Sequence, residues 1–179
     1  MLAALIAQES TFTADVRSVA NAYGLMQILP STGRHYARTL HLKRFSISLL
    51  TTADTNLQMG TAYLSDLVRQ FGGTAYALAS YNAGENRVAR WMADRPGLDS
   101  DEFIDDIPFP ETQNYVKKII GTAEDYRHLY GPASDRPEAE APLSTASAPA
   151  RTSSKVATAK KKSSPAKKKI SRHATHETA

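Results

Sequence analysis

The sequence has no cysteine among its 179 residues. This excludes a disulfide-stapled fold, a cysteine-ligated zinc or iron–sulfur site and a thiol nucleophile. It also lacks any apolar run of the roughly 20 residues that a membrane-crossing helix needs, so no transmembrane segment is predicted. The apolar stretch 1–7 has no basic segment before it and leads into Gln8 and Glu9, which is not typical of a secretory signal. Any export signal is therefore expected upstream of this sequence.

Aromatic residues are absent from the last part of the chain. All five Phe, all eight Tyr and the single Trp lie at or before Tyr130. Residues 1–130 carry a net charge of −2, whereas 131–179 carry +6 and include lysine triplets at 160–162 and 167–169. A segment of mainly Ala, Pro, Ser, Thr and Lys cannot bury enough apolar surface to offset its chain entropy. We predict one folded domain over 1–130 and a disordered basic tail over 131–179.

The charge of the predicted tail makes a polyanion a candidate partner. Teichoic acids, anionic lipid head groups, peptidoglycan carboxylates and nucleic acids would all attract it. The alternative is a solubilising or tethering linker. Because the tail has no aromatic residue to stack on bases and the chain has no folded reader motif, sequence-specific recognition of nucleic acid is not expected.

The first 130 residues are predicted to be helical. Apolar residues recur at helical spacing, or alanines cluster, over 2–6, 57–71, 74–80, 88–92 and 115–126. Gly72-Gly73 and the triplet 82–84 are expected to end two of these helices, and Pro110 is expected to begin the last. The stretches 41–53 and 93–109 are predicted to be irregular, and no alternating strand is evident. The fold class is therefore all-α, a compact set of about six or seven helices with little or no sheet.

Glu9 occupies an unusual place in this pattern. It follows Leu2, Leu5 and Ile6 by seven, four and three residues, so in a helix its carboxylate lies on the apolar stripe. Desolvation there would raise its pKa, and a carboxylic acid that stays protonated near neutral pH can protonate a glycosidic oxygen. The alternative is a helix-terminal glutamate that reaches water or pairs with an arginine.

Three ordered motifs give the sequence a resemblance to a known family. Leu-Ile-Ala-Gln-Glu-Ser at 5–10, Gly-Leu-Met-Gln-Ile-Leu-Pro at 24–30 and Tyr-Asn-Ala-Gly at 81–84 resemble the catalytic domain of the soluble lytic murein transglycosylases, relatives of goose-type lysozyme. The resemblance continues at Asn56, at Gly60, at 63–64 and at 107–116, and it covers almost all of 1–130. It implies a lysozyme-like helical fold.

The family resemblance also implies roles for particular residues. Glu9 falls on the single catalytic acid/base of the family. Six further positions fall on residues that bind the substrate or line its cleft: Ser18, Gln27, Tyr63, Tyr81, Asn82 and Glu111. Without the resemblance, Glu111 is equally well explained as an acidic residue in the first turn of a helix after Pro110.

The sequence departs from the family pattern in several places. Gln113 stands where the family usually carries Arg, which predicts a neutral hydrogen bond in place of a charged one. Leu29 replaces a Met of some members, and Asn21 replaces the usual Gly. The sequence begins only eight residues before Glu9, shorter than the first helix of the family, so we expect a fragment or a mis-assigned start that lacks the upstream part of the domain.

The resemblance implies cleavage of peptidoglycan strands by one carboxylate. Glu9 would protonate the oxygen between N-acetylmuramic acid and N-acetylglucosamine, then take a proton from the muramoyl C6 hydroxyl as a 1,6-anhydro end forms. Two alternatives remain: a muramidase that hydrolyses the same bond, and a non-catalytic protein that binds glycan or polyanion. Ordinary glycosidases use two carboxylates; Asp15 and Asp54 are better explained as a turn residue and a helix-start residue.

No cofactor or metal is predicted. The five His are scattered, and His173 and His176 lie in the predicted tail, so none has the spacing of a metal-ligand pair. A peptidoglycan substrate places the work of the enzyme in the cell envelope, or periplasm, although no signal peptide is evident in this sequence.

Overall fold

A computed structural model describes residues 1–132, which fold into seven α-helices and one short 3₁₀ helix. The helices are α1 (Leu2–Ser10), α2 (Pro30–Thr39), the 3₁₀ helix (Ile47–Thr51), α3 (Ala53–Phe71), α4 (Thr74–Ala83), α5 (Glu85–Asp94), α6 (Ser100–Asp105) and α7 (Pro110–Tyr130). Residues 1–132 contain no β-strand; isolated bridges join Tyr23 to Arg17 and to Ile28. The all-α prediction is confirmed.

Two further predictions concern the boundary between domain and tail and the absence of a transmembrane segment. Helix α7 ends at Tyr130, and residues 133–179 of the predicted basic tail lie outside the described residues. The boundary between domain and tail therefore stays a prediction. Between residues 1 and 132, no helix combines the length and the apolar character needed to span a membrane.

Several helix ends coincide with glycine or proline. Pro30 and Pro110 are the first residues of α2 and α7, where their fixed φ suits a helix and their missing N–H costs nothing. Gly72 follows α3 with a φ of 73°, a left-handed conformation that favours glycine. Helix α4 continues through Asn82 and ends at Ala83, so the break predicted over 82–84 consists of Gly84 alone.

The two stretches predicted to be irregular contain short helices, and the prediction is wrong at α6 and at the 3₁₀ helix. Helix α6 begins with a capping box in which the Asp99 carboxylate accepts hydrogen bonds from the N–H groups of Asp101 and Glu102, each at 2.9 Å. The Glu102 carboxylate in turn accepts from the Asp99 N–H at 3.1 Å. Six residues are too few to show a helical period, so this cap was the signal available in the sequence.

Helix α4 lies at the centre of the domain and positions part of the site. It packs against α3, α5, α6 and α7. Its buried residues include Ala75, Ala77, Leu78 and Ala79, and these mostly small side chains allow neighbouring helices to approach on several sides. Because α4 is held in this way, its last turn presents Tyr81 and Asn82 at a fixed position. Helix α1 packs separately against α7.

The segment that follows α1 is held against α3 by polar contacts. The fully buried Asn56 accepts a hydrogen bond from the Met26 N–H at 2.8 Å and donates to the carbonyls of Tyr23 at 2.9 Å and Leu50 at 2.7 Å. The Ser10 hydroxyl, at the end of α1, donates a hydrogen bond to the Leu25 carbonyl at 2.8 Å. These contacts satisfy the backbone of an irregular segment that would otherwise leave buried polar groups unpaired.

Candidate active site

Three helices border an open cavity of about 440 Å³ next to Glu9. We call it the Glu9 cavity. Its lining comes from α1, from the last turn of α4 and from one face of α7: Gln8, Glu9, Asn82, Glu111, Asn114, Tyr115 and Lys118. Three of the residues predicted for the site, Glu9, Asn82 and Glu111, are thus brought together although more than 100 positions separate the first from the last.

Glu9 is half-buried in the last turn of α1. Burial raises the pKa of its carboxyl group above the ordinary value, because the charged form loses hydration. The Tyr115 hydroxyl donates a hydrogen bond to Oε1, which lowers the pKa and opposes the larger effect of burial. The negative end of the α1 dipole also disfavours a carboxylate at this position. Glu9 can therefore keep its proton at a higher pH than an exposed glutamate.

Two tyrosines lie close to Glu9, the buried Tyr115 and the half-buried Tyr81, and both hold their protons more firmly than an exposed phenol. Burial raises the pKa of Tyr115 and that of Tyr81 well above the ordinary phenol value, and the nearby Glu9 carboxylate raises both further. Tyr115 therefore keeps its proton over a wider pH range than an exposed phenol does, and it remains available as the hydrogen-bond donor to Glu9. The Tyr81 hydroxyl instead donates to the Met26 carbonyl at 2.7 Å, which ties α4 to the segment after α1.

Asn82 and Glu111 occupy the edge of the Glu9 cavity. The Asn82 Oδ1 atom accepts a hydrogen bond from the Thr112 hydroxyl at 2.7 Å, so the amide NH₂ is the group left to donate to a ligand. Glu111 is exposed in the first turn of α7 and is the second carboxylate that lines this cavity. The cavity thus offers an acid, a carboxylate and an amide.

A row of tyrosine rings leads away from Glu9 and is called the tyrosine row: Tyr36, Tyr63 and Tyr81. The centroids of Tyr81 and Tyr63 are 5.0 Å apart, and those of Tyr63 and Tyr36 are 5.7 Å apart. Burial raises the pKa of Tyr63 to about 12, with a further contribution from Glu85. The Tyr36 hydroxyl is anchored by a 2.7 Å hydrogen bond to Asp66.

Two further cavities meet at Tyr63 and Glu85. One, of about 510 Å³, is lined by Ser31, Thr32, His35, Tyr36, Tyr63, Asp66, Leu67, Gln70 and Glu85. The other, of about 540 Å³, is lined by Tyr63, Ala83, Gly84, Glu85, Asn86, Arg87 and Arg90. Tyr63 contacts Tyr81, and the run 82–85 lines the Glu9 cavity at its first residue and the two further cavities at its last. These two cavities therefore continue the surface that begins at the Glu9 cavity.

Ser18 and Gln27 do not line the three cavities described above. The Ser18 Oγ accepts a hydrogen bond from the Ala22 N–H at 3.1 Å, within a turn closed by the Ala22 carbonyl and the Ser18 N–H at 2.9 Å. The Gln27 side-chain amide donates to the Gly24 carbonyl at 2.9 Å. Both side chains stabilise their own loop in this structure, and their predicted contact with substrate stays a prediction.

Several residues of the Glu9 cavity were not assigned to the site from sequence. Asn114, Tyr115 and Lys118 follow Glu111 by three, four and seven positions, the spacing that places side chains on one helix face. Tyr115 was assigned only to the apolar face of the last helix. That spacing from Glu111 was the signal by which all three could have been found.

Gln113, one of the predicted departures from the family pattern, has a structural role. Its side-chain amide donates to the carbonyls of Ile104 at 3.1 Å and Asp105 at 2.6 Å. From the first turn of α7, Gln113 thus donates neutral hydrogen bonds to two carbonyls at the end of α6. A neutral hydrogen bond is what the replacement of Arg by Gln predicts. Within residues 1–132, no three His, Asp or Glu side chains are grouped in a way that could hold a metal ion.

Known proteins share both the sequence and the fold of this domain. The chain is 37% identical over 131 residues to the soluble lytic murein transglycosylase of Salmonella typhimurium, which covers 72% of this chain and 20% of that protein. An inactive Glu-to-Gln mutant of the lytic transglycosylase Slt from Pseudomonas aeruginosa has a TM-score of 0.68 and 37% identity, over 76% of this chain and 22% of the other. A 70-kDa soluble lytic transglycosylase in complex with bulgecin A has a TM-score of 0.69 and 35% identity, over 77% and 23% of the two chains.

The chain spans about a fifth of the length of these relatives. Residues 1–104 match the family model described as the Transglycosylase SLT domain, which is more than half of the sequence. The similarity thus includes α1 with Glu9, the segment after it, and the last turn of α4 with Tyr81 and Asn82. With its helical fold and its sequence both matching, this chain belongs to the Transglycosylase SLT domain family.

Proposed function

We propose that this chain is the catalytic domain of a peptidoglycan lytic transglycosylase. It would cleave the β-1,4 bond between N-acetylmuramic acid and N-acetylglucosamine and leave a 1,6-anhydromuramoyl end. The observation that carries the proposal is the environment of Glu9: a half-buried carboxyl group with a raised pKa, opening into a cavity of about 440 Å³. The names of its relatives and the Glu-to-Gln substitution of the inactive Pseudomonas aeruginosa mutant support the same reading.

In the first step Glu9 acts as an acid. Its proton passes to the bridging oxygen as the bond from that oxygen to C1 of the muramoyl sugar breaks, and N-acetylglucosamine leaves with a free hydroxyl. The acetamido group of the muramoyl sugar stabilises the positive charge that develops at C1. Burial favours this step because it keeps the proton on Glu9 until the substrate needs it.

In the second step the same residue acts as a base. The Glu9 carboxylate takes the proton of the muramoyl C6 hydroxyl, and the C6 oxygen forms a bond to C1. This closes the anhydro ring, returns the proton to Glu9 and consumes no water. The hydrogen bond that Tyr115 donates to Oε1 stabilises the carboxylate between the two steps. Desolvation and Tyr115 therefore act in opposite directions, which suits one group that must both give and accept a proton.

An intramolecular nucleophile explains why a single half-buried carboxylate would suffice. The C6 hydroxyl belongs to the sugar that is being cleaved, so the ring closure gains the large effective molarity of an intramolecular reaction. The domain then has to orient the sugar and exclude competing water. In this proposal the Asn82 amide and the tyrosine row provide that orientation, and the enzyme is a carbon–oxygen lyase rather than a hydrolase.

The hydrolytic alternative has one observation in its favour. Glu111 lines the same cavity as Glu9 and could act as the second carboxylate of an ordinary glycosidase by activating a water molecule. A muramidase of this kind would release reducing ends, whereas the lytic reaction releases anhydro ends. The product therefore separates the two mechanisms. The sequence-based alternative, a binding protein without activity, predicts that neither product forms.

The experiment is mass spectrometry of muropeptides released from purified peptidoglycan, with Glu9→Gln and Glu124→Gln assayed beside the unmodified chain. Glu124 is an exposed glutamate of α7 that pairs with Arg127 and serves as the matched control. We expect products lighter by one water than reducing muropeptides, retained with Glu124→Gln and reduced roughly a hundredfold to ten-thousandfold with Glu9→Gln, the usual contribution of general acid–base catalysis. Reducing ends would support hydrolysis, and undiminished turnover by Glu9→Gln would remove Glu9 from the mechanism.

A murein substrate also places the site of action in the cell envelope. The relatives include enzymes named as soluble and as membrane-bound lytic murein transglycosylases. In this proposal the partners of the domain are peptidoglycan strands. The lysine-rich segment of 131–179 would add contact with anionic polymer, a proposal that depends on its charge alone.

A further inference from the structure

One face of α7 forms a wall of the Glu9 cavity and carries a lysine. Glu111, Asn114, Tyr115 and Lys118 line the cavity together and are spaced three, one and three positions apart. The two residues that begin this face, Glu111 and Asn114, and the phenol of Tyr115 are expected to contact neutral sugar groups or Glu9. Lys118 is the cationic side chain of this lining, and nothing in the proposed proton transfers uses it.

Lys118 has no carboxylate partner in the part of the chain that the structure describes. The preceding residue, Lys117, does have one: its ammonium lies 2.8 Å from a carboxylate oxygen of Asp105. Lys118 is exposed, lines the cavity and forms no ion pair within residues 1–132. The two lysines are neighbours on the same helix. Lys117 forms an ion pair with Asp105 of the same domain, whereas Lys118 lines the Glu9 cavity.

The chemistry of a peptidoglycan strand supplies a partner for such a cation. The sugar hydroxyl and acetamido groups are neutral. Negative charge is carried on the lactyl arm of muramic acid, either as the free lactyl carboxylate or as carboxylates of the peptide attached to it. A carboxylate entering the Glu9 cavity would be repelled by Glu111, and it would be repelled by Glu9 once that residue has lost its proton. An ammonium group in the same lining offsets this repulsion.

We infer that Lys118 binds a carboxylate on the lactyl arm of the muramoyl sugar and makes the domain prefer anionic peptidoglycan to neutral polymers of N-acetylglucosamine. The inference rests on the proposed function, because it takes the occupant of the Glu9 cavity to be peptidoglycan. Lys118 is a specificity residue in this account and takes no part in proton transfer. Its contribution acts on binding, and it weakens as added salt screens the exposed charge.

The test measures glycan affinity in a background that cannot cleave. The chain carrying Glu9→Gln is compared with the same chain carrying Lys118→Met or, as the matched control, Lys117→Met. Methionine keeps an unbranched side chain and removes the charge. The three ligands are peptide-bearing glycan strands, strands stripped of peptide by an amidase so that the lactyl carboxylate is free, and neutral chitohexaose. Circular dichroism checks that each variant is folded.

We expect Lys118→Met to weaken binding of anionic strands roughly threefold to thirtyfold, the range of one charge-assisted hydrogen bond from exposed to partly buried settings. Binding of chitohexaose should not change, and Lys117→Met should match its parent on all three ligands. A loss on peptide-bearing strands alone would assign the contact to the peptide, and a loss on stripped strands would assign it to the lactyl carboxylate.

Two results would overturn the inference while leaving the proposed function intact. One is an equal loss on chitohexaose and on anionic strands, and the other is no loss on any ligand. Failure of the Glu9→Gln parent to bind any of the three glycans would instead overturn the proposed function, and the inference with it. The two failures are therefore distinguishable from the behaviour of the parent chain.

Discussion

At the scale of single residues, the proton on Glu9 is controlled by two opposing effects. Desolvation raises its pKa, and the hydrogen bond from Tyr115 lowers it. A catalytic group that gives a proton and then takes one back needs a pKa near the working pH, because a strongly shifted value would favour one step at the expense of the other. In the proposed chemistry Tyr115 therefore tempers the larger effect of burial on the Glu9 proton.

Replacing Tyr115 by Phe should separate these two effects. Without the hydroxyl, desolvation acts alone and the pKa of Glu9 rises further. Activity that needs protonated Glu9 is lost as pH rises through that pKa, so the alkaline limb of the pH–rate profile should move to higher pH. The rate should also fall roughly tenfold to a hundredfold, because the carboxylate formed after proton donation loses a charge-assisted hydrogen bond.

The measurement is kcat against pH for release of muropeptides by Tyr115→Phe and by the unmodified chain. Tyr126→Phe is the control, since Tyr126 lies on the same helix and contacts the ring of Tyr130 rather than the Glu9 cavity. An alkaline limb that stays in place, or moves to lower pH, would contradict the role given to the Tyr115 hydroxyl.

At the scale of helices, one glycine allows the segment after α1 to pack against α3. A Cβ atom added at Gly60 would lie 2.4 Å from the Met26 Sδ and 2.8 Å from its Cβ. The sulfur belongs to a flexible side chain and could move, but the Cβ moves only with the backbone that Asn56 holds. Gly121, in the interior of α7, has open space at the same position.

These two glycines predict opposite results for the same substitution. Gly60→Ala should lower the free energy of unfolding by about 1–3 kcal/mol, the usual cost of overpacking. Gly121→Ala should raise it by roughly 0.5–1 kcal/mol, because alanine has the higher helix propensity and meets no atom there. Urea denaturation of both variants measures the difference. A stabilising Gly60→Ala would mean that α3 and the segment around Met26 are further apart than they are here.

The apolar pattern of an element, together with its length, decided how well it could be predicted from sequence. Five helices carry apolar residues at helical spacing, cluster alanines or lie between clear start and stop residues, and all five were predicted: α1, α3, α4, α5 and α7. Helix α6 was missed because its six residues hold less than two turns, and its stability comes from the Asp99 cap and from Gln113 of α7. Helix α2 begins at Pro30, a start signal that was present but not used.

For the whole molecule, the site depends on contacts that no short stretch of sequence contains. Glu9 was predicted from its place on an apolar stripe, a local pattern, together with the family resemblance of three short motifs. Its partner Tyr115 lies 106 positions away, and an aromatic residue on the buried face of a helix is most simply assigned to the core. A lysine on a helix normally faces solvent, so the sequence alone gives Lys118 no predicted role. Only the packing of α1 against α7 gives these residues a common cavity.

Because the cavities are continuous, we predict that the affinity for a glycan depends on its length. Tyr63 lines the two cavities beyond Glu9, and its ring contacts Tyr81 beside the acid. If a glycan strand follows this surface, sugars far from the cleaved bond should stack on the Tyr63 ring, and longer strands should bind more tightly than a disaccharide. Tyr63→Ala removes the ring and should reduce the affinity for long strands roughly tenfold, the effect of losing one aromatic contact, with little change for a disaccharide.

Tyr63→Phe is the matched control, because it keeps the ring and should keep the dependence on length. Both substitutions are best made in the Glu9→Gln background, where binding can be measured by calorimetry without cleavage. If Tyr63→Ala weakens disaccharide and long strands by the same factor, the ring acts through the position of Tyr81 rather than through distant sugars. If neither ligand responds, the strand leaves the domain before it reaches Tyr63, and only the Glu9 cavity would then take part in binding.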